Sequence, residues 1–159
     1  MIDSLAFARE GGSLQGKLRV ASLVRLFDEL TDSTGEIVYC LRGRVGPLGE
    51  AQIVLEVDGV LSLRCQRCLE RIDHPVRIRS LLELVGEKEE PTQEEIEDDS
   101  KDFLVAQKEL DVGALIEDEI ILDLPVAPRH DDCVLPDAGG RPEKVSPFSV
   151  LACLKGKVR

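Results

Sequence analysis

Apolar residues first recur at helical intervals, at Leu23, Leu26, Phe27 and Leu30, with Asp28 and Glu29 on the opposite side, Ser22 in front and Gly35 beyond. The spacing predicts an amphipathic helix over residues 22–31. After Gly35 the period falls to two. Ile37, Tyr39 and Leu41 alternate with Val38, Cys40 and Arg42, and Ile53, Leu55 and Val57 alternate with Gln52, Val54 and Glu56, so two half-buried strands are predicted. Asp58-Gly59 stands between Leu55-Glu56-Val57 and Val60-Leu61-Ser62-Leu63 and reads as a hairpin turn, a position that calls for positive φ. Val76, Ile78, Ser80, Leu82 and Leu84 alternate with Arg77, Arg79, Leu81, Glu83 and Val85, predicting a long strand over about 75–85. Phe103 to Ala106 reads as a short strand. Asp111 is placed to cap a helix through Val112, Leu115, Ile116, Ile120 and Ile121 that stops at Leu124-Pro125. Ser146 and Pro147 open a short final helix with Phe148, Leu151 and Leu154 on one side. The expectation is one α+β domain over residues 1–159, with an antiparallel sheet of about five or six strands, two main helices and a short C-terminal helix.

Two stretches break the pattern. Residues 86–102 hold nine acids, two bases and one large apolar residue, too little apolar surface to offset the entropy of ordering, so a mobile acidic loop is expected. Residues 125–145 are expected to be irregular, because 125–142 contain four of the eight prolines together with Gly139-Gly140. Charge is distributed as unevenly as structure. The chain carries a net charge of -11, made up of -1 over residues 1–86, -14 over 87–140 and +4 over 141–159. Any polyanion contact must therefore use the first half or the C-terminal tip. Aromatics are 3% of the chain, with no Trp, which argues against a platform for stacking unpaired bases. The N-terminus has no basic start followed by an apolar run, and no apolar stretch approaches 18 residues, so a soluble cytoplasmic protein without a membrane partner is expected. Five cysteines in no repeated framework point to thiols that are free or metal-bound.

Several motifs carry candidate chemistry. Gly11, Gly16 and Lys17 have phosphate-loop spacing, but Leu18 stands where a magnesium-binding hydroxyl belongs and no apolar strand precedes them, so chance is the better account. There is no nucleophile-elbow or zinc-protease motif, and two histidines offer little for acid-base catalysis, so no enzyme is expected. His74, before Pro75, reads as a turn residue. Cys65-Gln66-Arg67-Cys68 at a strand end lets two thiolates face one point, as a tetrahedral zinc site requires. A second pair with the same gap, His130 and Cys133, begins 62 positions after Cys68. Cys65, Cys68, His130 and Cys133 can thus form a Cys3His cage for zinc. The alternative is that the cysteines are simply reduced and packed in a tight turn, as Cys40 and Cys153 suggest by occurring singly as small core residues. A thiol oxidoreductase is a third reading, but it wants a helix N-terminus after the first cysteine, and Leu69 to Pro75 is a poor helix start.

Arg64, Arg67, Arg71, Arg77 and Arg79, with Arg42 and Arg44 from an earlier strand, form the densest basic group. Arginine suits bidentate phosphate contact, and Lys155, Lys157 and Arg159 offer secondary contacts. An ordinary solvated sheet face, or pairing with the acidic loop, is the alternative.

Three blocks, Leu63-Arg64-Cys65-Gln66-Arg67-Cys68-Leu69-Glu70, the run from Leu115 to His130, and Ser146 to Lys155, together resemble the YceD family of bacteria and plastids. The Pro128-Arg129-His130 variant with a single later cysteine is similar to the proteobacterial branch. The resemblance implies a non-enzymatic protein of large ribosomal subunit biogenesis, needed for accumulation of 23S ribosomal RNA. With that resemblance, the arginine face at Arg64 to Arg79 is expected to engage precursor large-subunit rRNA or a ribosomal protein, and the alternative is an adaptor whose acidic stretch at 87–123 binds a basic ribosomal protein without RNA contact. Many relatives carry a second C-x-x-C in this place, which is what a four-thiolate metal site would look like; this chain departs from that pattern, keeping only Cys133, with His130 three residues earlier.

Overall fold

In the computed structural model, which describes residues 1–86 and 101–135, alternation of apolar and polar residues builds the largest elements. The expected helix at 146–154 and the basic tip at Lys155, Lys157 and Arg159 lie outside the described residues. So do Cys153 and residues 87–100 of the acidic segment. Helix α1 (Ser4–Arg9) is capped by Asp3, whose side chain accepts from the Ala6 amide. Strand β1 (Ser13–Arg19) follows, then two short 3-10 turns (Val20–Ser22 and Val24–Leu26) and β2 (Leu30–Asp32). The long strands β3 (Glu36–Val45), β4 (Ala51–Arg64) and β5 (Arg71–Val85) come next, then β6 (Asp102–Val105) and helix α2 (Val112–Asp123). The sheet runs β1-β3-β4-β5-β6, with β2 beside β4. β3 flanks β4 from Ala51 to Asp58, and β2 takes the same side at Ser62 and Leu63.

Four expectations need correction. First, the sheet is mixed. β6 runs parallel to β5, which the connection between them permits, since it exceeds the dozen residues a parallel crossover requires. Second, the fold is poor in helix, and no helix forms over 22–31. Val20, Leu23 and Leu26 are buried at a spacing of three, the period of a 3-10 turn rather than an α-helix, and Leu30 already belongs to a strand. Third, no turn forms at Asp58-Gly59. Gly59 sits in mid-strand opposite Val76, without positive φ. The glycine is there because a Cβ would fall 2.4 Å from Ile37 Cδ1, so the position serves close packing and not reversal. Fourth, His74 is a strand residue paired with Leu61, and Cys40 lies half-buried on the polar side of β3 and not in the core.

Register assigns every side chain to one of two faces. The inner face carries Ile37, Leu41, Ile53, Leu55, Val57, Leu61, Leu63, Val76 and Leu82, all buried. Against it pack α1, the 3-10 turns and α2, whose Leu115, Ile116 and Ile120 are buried. α2 begins at Asp111, whose carboxylate accepts from Gly113 and Ala114, as the sequence predicts. Buried Glu117 accepts from the Arg25 amide at 2.7 Å and so fixes the 3-10 segment to the helix.

One polar contact on this face opposes folding at neutral pH. Burial raises the Glu119 carboxyl, the Ser80 hydroxyl that donates to it lowers it, and Asp102 and Asp118 push it up again, for a net rise. A carboxyl raised in the folded state disfavours folding once ionised. Glu119→Gln keeps the acceptor for Ser80 and is expected to stabilise the protein at pH 7 by roughly 0.5 kcal/mol, given partial exposure. The gain should fade as the pH falls and the folded-state carboxyl takes up its proton. Urea unfolding at two pH values checks this, and an equal gain at both would exclude the ionisation.

Candidate functional site

The turn joining β4 to β5, residues 65–70, holds the first cysteine pair. Cys65 N donates to Glu70 O at 2.9 Å and Leu69 N to Cys65 O at 2.9 Å, which closes the turn. Leu69 adopts φ +66, an uncommon conformation for a branched side chain. Beyond α2, Pro125 ends the helix and the chain crosses the turn. Gln66 N donates to Pro128 O at 2.8 Å, and Arg67 Nη1 donates to Cys133 O at 3.0 Å. This strap delivers the second pair to the first.

The four expected ligands meet. One donor atom from each of Cys65, Cys68, His130 and Cys133 lies within 4.8 Å of the others. Cys65 Sγ is 3.5 Å from Cys133 Sγ, and Cys68 Sγ is 3.4 Å from His130 Nδ1. Two zinc–sulfur bonds at a tetrahedral angle would hold their sulfurs about 3.8 Å apart, so the set is close to the size such a cage needs and can hold a metal ion. His130 Nε2 lies 3.0 Å from Arg71 O. A proton on Nε2 would donate to that carbonyl and leave Nδ1 free to ligate, the outer support usual for metal-bound histidine. Cys65 is fully buried, the other three are half-buried, and an open groove of about 710 Å³ runs past Cys68, His130 and Cys133.

The thiols differ electrostatically. Burial pushes Cys65 up, but the backbone amides of Cys68, His130 and Arg67 outweigh it and bring the thiol down to about 5, favouring the thiolate that ligation requires. At Cys68 the Glu70 amide lowers the thiol, while burial and the neighbouring Cys65 and Cys133 raise it further. One site shared by three sulfurs cannot easily hold three negative charges without a cation. The pair also sits between two strands, with no helix starting at it, so the helix-terminal activation of a disulfide exchanger is missing there.

The arginines fall into a pattern set by strand parity. Arg42 and Arg44 on β3, Arg64 on β4, and Arg71, Arg77 and Arg79 on β5 all point to the outer face, which no helix among the described residues covers. Arg67 is in the turn, engaged with Cys133. Glu56 holds Arg42 and, at 3.6 Å, Arg79. Arg71 meets Asp73 at 2.8 Å and Asp32 at 3.5 Å, and its hydrogen bond to Asp73 keeps that carboxyl below the usual range. Arg44 donates to Gln52 at 2.9 Å. Among the described residues, Arg64 and Arg77 carry no ion pair. Lys17, from the apparent phosphate loop, lies within strand β1 and pairs with Glu36 at 3.0 Å.

Residue patterns gave no warning of the main-chain partners, the carbonyls of Pro128, Arg71 and Cys133, because any residue type supplies them. They also hid Glu56 as the carboxylate shared by two arginines, which only the cross-strand register brings out.

The sequence model of one protein family, described as large ribosomal RNA subunit accumulation protein YceD, matches residues 53–155. The match starts within β4 and takes in both ligand pairs. No solved structure matches the chain. Among the described residues, no helix is long and apolar enough to cross a membrane.

Proposed function

Since the chain belongs to the YceD family, named for accumulation of large-subunit ribosomal RNA and not for a reaction, we propose that it supports that accumulation by holding precursor rRNA on the outer face of its sheet. Such work belongs in the cytoplasm, where ribosomes assemble. The observation that carries the reading is the gathering of six arginines on one open face, in a chain that is acidic overall. Arg64 stands directly opposite Arg71. Like charges opposed across a ladder cost stability, and a phosphate between them would turn the cost into a gain.

Zinc is the metal we assign to Cys65, Cys68, His130 and Cys133, since three sulfurs and one imidazole in a tetrahedral-sized set suit it above harder ions. Bound there, it would supply a cross-link with all four positions taken by protein and none open to substrate. The chain's own residues do the rest. Gln66, Arg67 and the Arg71 carbonyl seat the strap, and the seated strap fixes the end of the sheet where Arg64 and Arg71 stand.

Salt titration of precursor rRNA binding tests the reading. Replacing Arg64 and Arg77 by alanine is expected to lower the slope of log affinity against log salt by roughly 2, near one unit per lost phosphate contact. A double variant that titrates like the wild type overturns the assignment. In a pull-down from cells, partners lost on nuclease treatment support it. Survival of a basic ribosomal protein instead marks an acidic adaptor, the reading that the charge of -14 over residues 87–140 favours.

A further inference from the structure

Resting on that reading, we infer that the RNA taken by the outer face is a duplex, recognised by its two sugar-phosphate tracks and not by its bases. Unpaired RNA is held chiefly by stacking bases on aromatic rings, at about 1–3 kcal/mol per base. The outer-face positions of β1, β3, β4 and β5 carry no aromatic side chain, since Tyr39 points to the inner face; among the described residues the one ring on this face is Phe103 of β6, beside Glu83, and Lys101 lies over it at 5.2 Å from the centroid. Paired A-form RNA needs no such platform, since proteins read it by shape and through phosphates and 2′-hydroxyls.

The arginines also stand in two groups. Arg64 and Arg71 occupy the end beside the cysteine turn. Arg77 and Arg79 stand at the middle of β5, opposite Asp58 and Glu56, and Arg42 and Arg44 on β3 continue from them toward the other end. Arg77 is six residue steps along β5 from Arg71, about 20 Å at 3.3 Å each. Pro75, Val60 and Ser62 lie between, and Asp73 there is engaged by Arg71. A hydrogen-bonded sheet holds this separation fixed, and a partner whose own phosphate tracks keep a fixed separation meets both groups without paying to become ordered. A flexible strand would have to be ordered to do the same, with no stacking to offset it. Ser62 and Gln52, polar and largely buried at the two ends of β4, add no base-reading side chain to the exposed surface.

The test is a direct comparison on the full chain purified without chelator. An RNA duplex of roughly 16 base pairs and either of its strands alone are titrated at several salt concentrations. Duplex binding is expected to be at least about tenfold tighter and unchanged when the duplex sequence is permuted. A single strand that binds as well or better overturns the duplex assignment while leaving RNA binding in place. Absence of binding to both overturns the parent reading. In a second arm, Glu56→Gln frees Arg42 and Arg79 from their shared carboxylate and is expected to tighten the duplex about threefold at low salt. Unchanged affinity there removes the second group from the contact, and the two-track geometry with it.

Discussion

Replacing Cys65 by serine is expected to abolish retention of one equivalent of zinc and to lower the melting temperature by roughly 8–16 °C, because a ligand present at about 1,000 times its Kd stabilises the fold by about 4 kcal/mol. Cys65 is the strongest single test of the cluster. It is fully buried, the backbone amides of Cys68, His130 and Arg67 draw its thiol down to about 5, and it bridges the β4 end to Cys133 at 3.5 Å. A serine oxygen is smaller and stays protonated where the thiol ionises, so it offers the amides a neutral acceptor in place of a thiolate and offers zinc no soft anionic ligand. Metal analysis and calorimetry on protein purified without chelator read both effects. The wild type with less than about a tenth of an equivalent of zinc would reject the cage outright. Cys40→Ser is the control, since Cys40 lies on β3 away from the cluster, and its metal content should match the wild type.

Gly43→Ala is the second large effect, and it acts through packing alone. A Cβ at this inner-face position would sit 2.2 Å from the Phe7 carbonyl oxygen and 2.7 Å from Ala8 Cα. Both are backbone atoms of α1, so no rotamer change relieves the clash and the helix must lift off the sheet. Ala8, buried beneath it, would be exposed. Overpacking of this kind costs about 3 kcal/mol, or roughly 6–12 °C in a chain of this size. Gly49→Ala makes the contrast. Its Cβ would meet open space, and only its φ of +97 resists, so about 1 kcal/mol is expected there. Urea midpoints for the two variants that proved equal would mean that α1 is not seated on Gly43.

The meeting of the two Cys/His pairs was legible because cysteine and histidine are scarce here and share a three-residue gap, so spacing alone paired them across 62 positions of sequence. The long strands were legible from alternation, and α2 from the Asp111 cap. The failures share a cause. At residues 22–31 and at Asp58-Gly59 a short local signal was outvoted by tertiary packing, since Leu23 and Leu26 reach the core equally well from 3-10 turns and Gly59 is needed for Ile37. α1 and β1 were missed because Ala6, Ala8 and Gly16 dilute the apolar rhythm that marks an element, and Gly43, which makes room for α1, lies far away in sequence. The parallel joining of β6 could not be read at all, for a strand's direction depends on the path of its connection and not on its own residues. The common face of the arginines was half legible. Alternation put Arg77 and Arg79 together, whereas the side shared with Arg42, Arg44 and Arg64 follows from cross-strand register.

β6 covers β5 only from Leu82 to Val85, and among the described residues no strand pairs with the flank of β5 from Arg71 to Leu81. Such a margin is a template on which a stranger's chain can crystallise into fibre. Pro75 interrupts it, lacking the amide hydrogen that an incoming strand would need, and the guanidinium groups at 71, 77 and 79 repel a second copy of the same margin. The charges proposed to hold RNA would thus also blunt this margin against an incoming strand.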